Sequence, residues 1–219
     1  MTNLLMKIQD TVMKYADIVS QIANVDVEEV DNQLFRVAGT GMFRSKVNMD
    51  MSEEGYVYRH VLRTGKTMII YDPGQEEICQ ACPHRNDCRE EIEISMPVRM
   101  SGDVIGIIGL VGSTREQKMN ILENEKLYME FLGQIAEFIS AKAQEYVSQA
   151  NRAALIGTLN YTMDYVTQGI MILGTDGIIT TANETARQQL KIPHPEGMRA
   201  EIEATGDHVN NSNEYILIL

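Results

Sequence analysis

Apolar residues near the start of the chain recur at intervals of three and four, the spacing of one face of an α-helix. The positions on this face are Leu5, Ile8, Val12, Tyr15, Ile18, Val19 and Ile22. They predict an amphipathic helix from Asn3 to Asn24, within a first segment of residues 1–25. Residues 26–41, whose apolar members include three valines, are predicted to be extended and to close at Gly39-Thr40-Gly41.

Short apolar runs separated by turn residues follow. Residues 55–64 predict a short helix that Gly65 caps, and residues 67–71 predict a strand that ends at Asp72-Pro73-Gly74. Two further apolar runs, 92–99 and 104–111, flank Ser101-Gly102-Asp103, which has the residues of a hairpin turn. The pattern indicates strands packed against helices.

A long segment without proline, residues 115–162, predicts a linking helix. Its apolar seam consists of Ile121, Tyr128, Leu132, Ile135, Ile139, Ala143, Tyr146 and Ala150. A monomer would use this seam to cover its sheet, and a dimer would use it to pair. We expect a dimer, because the predicted helix continues past any single domain.

A second, smaller pattern occupies residues 163–219. Strands are predicted at 169–173 and 178–182 around a Thr175-Asp176-Gly177 turn, and Asn183 is a good N-cap for a helix over 184–191. Tyr215 to Leu219 predicts a further strand. We expect this second domain to be incomplete.

Composition narrows the classes of function. Of 219 residues, 44% are hydrophobic and 23% are charged, which is ordinary for a globular protein, and we find no signal peptide and no bilayer-spanning apolar run. We therefore expect a cytoplasmic protein with no membrane contact. The net charge of −12 would repel phosphate backbones, so these residues are not expected to bind DNA themselves.

Three cysteines lie close together, as Cys79, Cys82 and Cys88, in a loop of residues 72–91 that we call the cysteine loop. A C-x2-C pair lets two thiolates face one ion or cluster, and five more residues bring a third one round. The fourth ligand is open, with Asp72 favoured over His84. Sequence-adjacent glutamates, Glu53-Glu54, Glu76-Glu77 and Glu90-Glu91, are interpreted as solvated surface.

The motifs resemble two families. Gly39-Thr40-Gly41, the Gly65-Lys66 turn and the hairpin from Ser95-Met96-Pro97-Val98 to Val104–Leu110 are similar to a GAF domain over residues 26–114. Asp164, residues 169–173, Asp176–Ile179 and Ala182–Ala186 resemble the first half of a PAS domain. The resemblance implies an α/β fold of the α+β type, in which a GAF-like antiparallel sheet with flanking helices precedes a long connecting helix and a PAS-like α/β domain.

This order of domains resembles the sensory half of sigma-54-dependent transcriptional regulators from anaerobic bacteria. The resemblance implies partners for the full-length protein, namely sigma-54 RNA polymerase and DNA, contacted through AAA+ and helix-turn-helix domains that are absent here. From the length of the linking helix we also expect a homodimer through the N-terminal and linking helices. No G-x-x-x-x-G-K-[ST] motif occurs, and a single catalytic thiol would not be presented as one of three, so we expect no enzyme.

The cysteine loop leaves three alternatives. An iron–sulfur cluster, most simply [4Fe–4S], is the favoured alternative. The C-x2-C-x5-C spacing of the loop is similar to that of auxiliary clusters in radical enzymes, and the family resemblance points to anaerobes. Zinc accepts three cysteines with a histidine or carboxylate, and a metal-free thiol switch or plain loop is the third alternative. The sequence predicts a sensor of redox state, oxygen or a ligand; the rival hypothesis is a small-molecule-binding GAF/PAS sensor with a structural zinc site.

Overall fold

A computed structural model describes residues 3–209 and 212–218 of the chain, with side chains up to residue 201. It divides into two compact units, Met1–Ser148 and Gln149–Leu219. The fold class is the one that the sequence predicts, a mixed α/β protein with an antiparallel sheet and flanking helices. In the part of the chain that is described, none of the helices is long and apolar enough to cross a membrane.

The first unit is built on a five-stranded antiparallel sheet in the order β2-β1-β5-β4-β3. Its strands are β1 (Asp26–Asp31), β2 (Arg36–Gly39), β3 (Met68–Ile70), β4 (Ile92–Met100) and β5 (Asp103–Gly112). The hairpin of β4 and β5 is confirmed, with Met100 opposite Asp103 at its turn. The cysteine loop joins β3, an edge strand, to β4.

Helices cover both faces of this sheet. They are α1 (Leu4–Lys7), α2 (Gln9–Ala23), α3 (Tyr56–Thr64), α4 (Arg115–Glu123) and α5 (Glu125–Asp164). The main core lies between the sheet and α1, α2, α4 and α5, and a smaller core lies under α3 on the opposite face. Gly65 ends α3 in the left-handed conformation with φ of 65°, as the sequence predicts for a C-cap glycine.

The linking helix differs from its prediction in two ways. It is interrupted at Asn124, where α4 ends and α5 begins. Five members of its predicted seam are buried in the core of this chain's own first unit, namely Ile121, Tyr128, Leu132, Ile139 and Ala143. They cover the sheet, so this part of the seam is not free to pair with a second copy.

The described part of the second unit contains two antiparallel pairs of strands, the end of α5 and one complete helix. The strands are β6 (Met171–Leu173), β7 (Ile179–Ala182), β8 (Glu201–Val209) and β9 (Ser212–Ile218), and the helix is α6 (Glu184–Leu190). Asn183 caps α6 by accepting a hydrogen bond from the Ala186 N–H at 2.9 Å, which confirms the predicted N-cap. The PAS-like character of this unit stays a prediction, and Leu219 of its last predicted strand lies outside the described residues.

Candidate functional site

The cysteine loop consists mostly of tight turns. Two short 3-10 helices, Glu77–Cys79 and Arg85–Asp87, lie within it. Backbone hydrogen bonds link successive turns, from the Cys82 N–H to the Cys79 carbonyl at 3.0 Å and from the Arg85 N–H to the Cys82 carbonyl at 3.2 Å. These turns bring Cys79 and Cys82 close together and lead the backbone towards Cys88.

Gly74 joins the two ends of the loop. Its φ is 82°, and a Cβ at this position would lie 2.7 Å from the Arg85 carbonyl oxygen and 3.3 Å from the Cys88 Cβ. Arg85 Nε donates a hydrogen bond to the Gly74 carbonyl at 3.0 Å. Only glycine fits this close approach without displacing backbone, because a side chain would be strained by φ and would also collide with the far end of the loop.

The three thiols are free and occupy different environments. Cys79 is buried, Cys82 is half-buried and Cys88 is exposed. Burial raises the pKa of the Cys79 and Cys88 thiols above its ordinary value. The backbone N–H groups of Gly74 and Glu90, which donate to Cys79 and Cys88 respectively, offset only part of this rise. Cys82 Sγ lies 4.0 Å from the Glu54 carbonyl oxygen. Amide N–H groups aimed at sulfur are the contacts that stabilise metal-bound thiolates.

A cavity of about 340 Å³ lies beneath the loop, and all three cysteines line it. Its other walls come from β1 and β2, the segment before α3, the start of α3, and Glu93 of β4. The volume is at the lower end of the range of small-molecule sites, roughly 300–1,000 Å³. Since the loop forms one wall, any ordering of the loop changes the shape of the cavity.

A buried ion-pair network forms the floor of this cavity. Arg36 donates through Nε to Glu28 and through Nη2 to Glu54, the latter at 2.8 Å, and only 2% of its side chain is exposed. Burial raises the pKa of Glu28 despite this guanidinium. Burial would also raise the pKa of Glu54, but the hydrogen bond from Arg36 and the charge of Lys46 outweigh it, and the pKa is lowered. The buried guanidinium is therefore held by two carboxylates and, through Nη1, by the Lys46 carbonyl at 3.4 Å.

Two more carboxyl groups face the same space. Burial raises the pKa of Glu93 to about 8, and its carboxyl also accepts a hydrogen bond from the Ser95 hydroxyl. Burial and the charge of Glu28 raise the pKa of Glu90 to about 7. The interpretation of the glutamate pairs as solvated surface is thus wrong for Glu90, which is half-buried, and for Glu54, which binds Arg36.

The predicted fourth ligands lie apart from one another. Asp72 is not among the residues that line the cavity; its side chain is 66% exposed and its Oδ1 is 2.6 Å from Lys118 Nζ in α4. His84 does line the cavity, with 65% of its side chain exposed and Nε2 at 3.3 Å from Glu54 Oε2. The structure therefore brings His84, and not Asp72, to the same cavity as the three thiols.

The donor set fits a thiophilic metal or cluster in its chemistry, since three thiols and several carboxyls line one space. In residues 3–209 and 212–218, no three His, Cys, Asp or Glu side chains already surround a common point. The donors are thus near one another without being closed into a coordination shell. A bound metal would have to draw the loop together, as is common where metal binding and local folding are coupled.

Sequence reasoning missed the ion-pair network of Arg36, Glu28 and Glu54. One signal was available: Glu28 and Glu29 are adjacent in a short strand, so their side chains point to opposite faces of the sheet, and helices predicted on both faces would bury both. The residue that pairs with Glu28 lies eight positions away on the next strand, and the sequence alone does not select Arg36 from the other cations.

The sheet, its flanking helices and the cavity under an irregular loop define an α/β domain with a central antiparallel sheet. Residues 2–140 match the family model described as GAF domain. The chain belongs to the GAF domain family.

The chain is similar to UacR of Escherichia coli (strain K12). UacR is named as a uric acid sigma-54-dependent transcriptional regulator, an assignment that its name marks as provisional. The two are 27% identical over 191 residues, which is 87% of this chain and 32% of UacR. The chain therefore spans about a third of the length of the curated relative it matches.

Solved structures show the same fold. The N-terminal part of E. coli DhaR, solved in complex with DhaL, has a TM-score of 0.59 at 11% identity, with 97% of this chain and 79% of that chain covered. Residues 122 to 287 of a methyl-accepting chemotaxis protein give a TM-score of 0.51 at 13% identity, covering 66% of this chain and 93% of that one. At these identities the likeness concerns the fold.

Proposed function

We propose that this chain is the cytoplasmic, non-catalytic signal-input region of a sigma-54-dependent transcriptional regulator, and that its GAF domain receives the signal at a metal centre held by Cys79, Cys82 and Cys88. The observation that carries the proposal is that all three thiols line one cavity. Its likeness to UacR along 87% of this chain supports the class of regulator.

The thiols would hold an iron–sulfur cluster, with zinc as the alternative metal. A cluster would supply a centre that is lost or oxidised when oxygen or redox state changes, whereas zinc would supply a rigid tetrahedral staple. The protein's own contribution is the turn at Gly74 and the N–H groups that Gly74 and Glu90 direct at Cys79 and Cys88.

The loop has direct contacts through which its state would reach the helices. Asp72 at the start of the loop is paired with Lys118 of α4. The hydroxyl of Tyr71, the residue before it, lies 3.1 Å from the Glu125 carboxylate at the start of α5. A loop that moved with metal occupancy would therefore act on both helices beside their junction at Asn124, which is the physical coupling that a switch requires.

Partners follow from the same proposal. The full-length protein would contact sigma-54 RNA polymerase and DNA through other domains, and this region would form a homodimer through its N-terminal and linking helices. Exposed apolar side chains support the dimer: Ile22 of α2 is 70% exposed and Leu127 of α5 is 64% exposed. Together with Ala23 and Phe131 they line a second cavity of about 340 Å³.

A second candidate function is a small-molecule sensor in which a structural zinc fixes the cysteine loop. The cavity is large enough for a compact heterocycle, and the name of UacR suggests urate as the first ligand to try. Isothermal titration of zinc-loaded protein with urate tests it: saturable binding supports this candidate, and the absence of heat at millimolar urate contradicts it for urate.

Removal of the metal tests whether the centre is the signal site. Anaerobically purified protein is treated with chelator or air, and its circular dichroism, melting, oligomeric mass and amide hydrogen exchange are compared with those of the untreated protein. A folded protein with a changed oligomeric state or changed protection of α4 and α5 supports the proposal. Global unfolding would show that the metal has a structural role only. An unchanged protein would show that the metal has no role in signalling.

A further inference from the structure

The position of Glu90 distinguishes it from the other candidates for a fourth ligand. Asp72 is turned to Lys118 outside the cavity, and His84 is mostly exposed and lies against Glu54. Glu90 follows Cys88 by two residues, lines the cavity with the three thiols, and is half-buried, whereas its neighbour Glu91 is exposed.

The carboxyl of Glu90 is available. In the described residues no side chain donates a hydrogen bond to it and no cation lies within ion-pair distance, although the charges of Glu28, Lys46 and Glu54 all act on it. Those charges lie around the cavity, which places the carboxyl against the interior space. Glu93, the other carboxyl nearby, already accepts a hydrogen bond from Ser95.

Glu90 is also coupled to the thiols directly. Its backbone N–H donates to the Cys88 sulfur, and the charge of its carboxylate raises the pKa of that thiol. One residue therefore places a hydrogen-bond donor and a carboxylate beside the same sulfur. Glu90 lines the same cavity as the three cysteines, and in the described chain no hydrogen bond to another side chain fixes its carboxyl in place.

We propose that Glu90 supplies the oxygen ligand that completes the coordination shell begun by Cys79, Cys82 and Cys88. The inference rests on the proposed metal centre. A carboxylate is a harder ligand than thiolate and exchanges more readily with water or another oxygen donor. Glu90 is then the ligand that is displaced first, and the three cysteines keep the metal bound while water or another oxygen donor replaces the carboxylate.

The test compares Glu90→Gln with Glu91→Gln, a matched control one residue away on the exposed side. Each variant and the wild type are purified anaerobically, and metal content, absorption or electron paramagnetic resonance spectra, and the rate of metal loss to EDTA are measured. We expect Glu90→Gln to change the spectrum and to lose metal at least about tenfold faster. Glu91→Gln should match the wild type, and Glu90→Asp should lie between them.

The outcomes separate this inference from the proposed function. If the wild type holds metal, Cys82→Ala loses it, and Glu90→Gln keeps the wild-type spectrum and rate, then Glu90 is not a ligand and the metal centre stands. If the wild type holds no metal, or Cys82→Ala keeps it, the metal centre itself is wrong and the assignment of Glu90 falls with it. Circular dichroism of the apo variants shows whether a loss of metal comes from misfolding.

Discussion

Lys118 Nζ donates to Asp72 Oδ1 at 2.6 Å, so the first residue of the cysteine loop is tied to α4. The pair is partly exposed, with 19% of the lysine and 66% of the aspartate side chain accessible. Such a pair contributes little to global stability, about 0–1 kcal/mol. Its importance lies in the connection between the loop and the helices.

Lys118→Met is expected to separate metal occupancy from the behaviour of the helices. Metal content and melting temperature should stay close to those of the wild type, while the change in hydrogen exchange of α4 and α5 on metal removal becomes smaller. Lys126→Met is the matched control, because Lys126 also makes a surface pair, with Glu130 at 3.8 Å. Equal responses in both variants would contradict a role for the pair of Asp72 and Lys118.

Gly74→Ala should weaken the metal site more than it weakens the fold. The left-handed backbone strain costs about 1 kcal/mol, and the added Cβ also collides with the Arg85 carbonyl across the loop. We expect the affinity for the metal to fall at least about tenfold, measured by competition with a chelator.

Gly102→Ala separates strain from collision. Gly102 has a φ of 95°, and a Cβ there would meet nothing within 4 Å. It should cost similar stability and leave the metal affinity unchanged. A loss of affinity as large as that of Gly74→Ala would show that closure of the loop is not the cause.

Arg36→Met should be among the most destabilising single substitutions in the first unit. It leaves Glu28 buried without its cation, a change that typically costs about 3–5 kcal/mol in the free energy of unfolding. Urea denaturation measures it. The double variant Arg36→Met with Glu28→Gln should recover part of the loss, and a double variant no better than the single one would contradict the pairing.

Glu29 gives the first unit a pH dependence of its own. It is fully buried, both carboxyl oxygens lack a hydrogen-bond partner in the described chain, and burial raises its pKa well above the ordinary 4.5. The unfolded state then loses this proton at lower pH than the folded state. Stability is unaffected below the unfolded pKa and falls as pH rises above it, by about 1.4 kcal/mol per pH unit, until the folded pKa is passed.

Glu29→Gln should reduce the loss of stability with rising pH, since Glu90 and Glu93 keep their raised pKa values, and the exposed Glu53→Gln should leave that loss unchanged. The free energy of unfolding of the apo protein, measured in urea at pH 5, 6, 7 and 8, checks both. The wild type and Glu53→Gln should lose stability together over this range, and Glu29→Gln should lose less. Parallel curves for all three proteins would show that Glu29 is solvated in the folded state.

The proposed dimer is tested by placing a charge on the exposed apolar surface. Ile22→Glu should shift the mass measured by light scattering from dimer to monomer, because Ile22 is 70% exposed on α2. Met49→Glu changes an equally apolar residue, 53% exposed and outside the helices, and should stay dimeric. A monomeric wild type, or a dimeric Ile22→Glu, would contradict an interface at this end of the helices.

Local patterns were sufficient to predict most of the fold. The spacing of apolar residues located α2, the turn residues around Gly102 located the hairpin, and Gly65 marked the end of α3. The break at Asn124 was not predictable in this way. Tyr128 at the start of α5 donates to the Ala23 carbonyl and accepts from Asn120, so the break depends on contacts distant in sequence.

The candidate site was predictable only where its residues are adjacent. Cys79, Cys82 and Cys88 lie within ten positions, and their spacing indicated that they would share one space. Arg36 meets Glu54 from another part of the chain, and Glu90 was misjudged because a glutamate pair in sequence says nothing of which member faces inward. Asp72 was chosen for its place at the strand end beside the loop, and its orientation towards Lys118 is set by where α4 packs.

The most direct test of the account is the metal content of anaerobically purified protein beside that of Cys82→Ala, by absorption spectrum and by iron, sulfide and zinc analysis. The account predicts metal in the wild type and its loss in the variant, with a visible band that bleaches in air and matching iron and sulfide if the centre is a cluster. A wild type without iron or zinc, or a Cys82→Ala variant with full metal content, would contradict it.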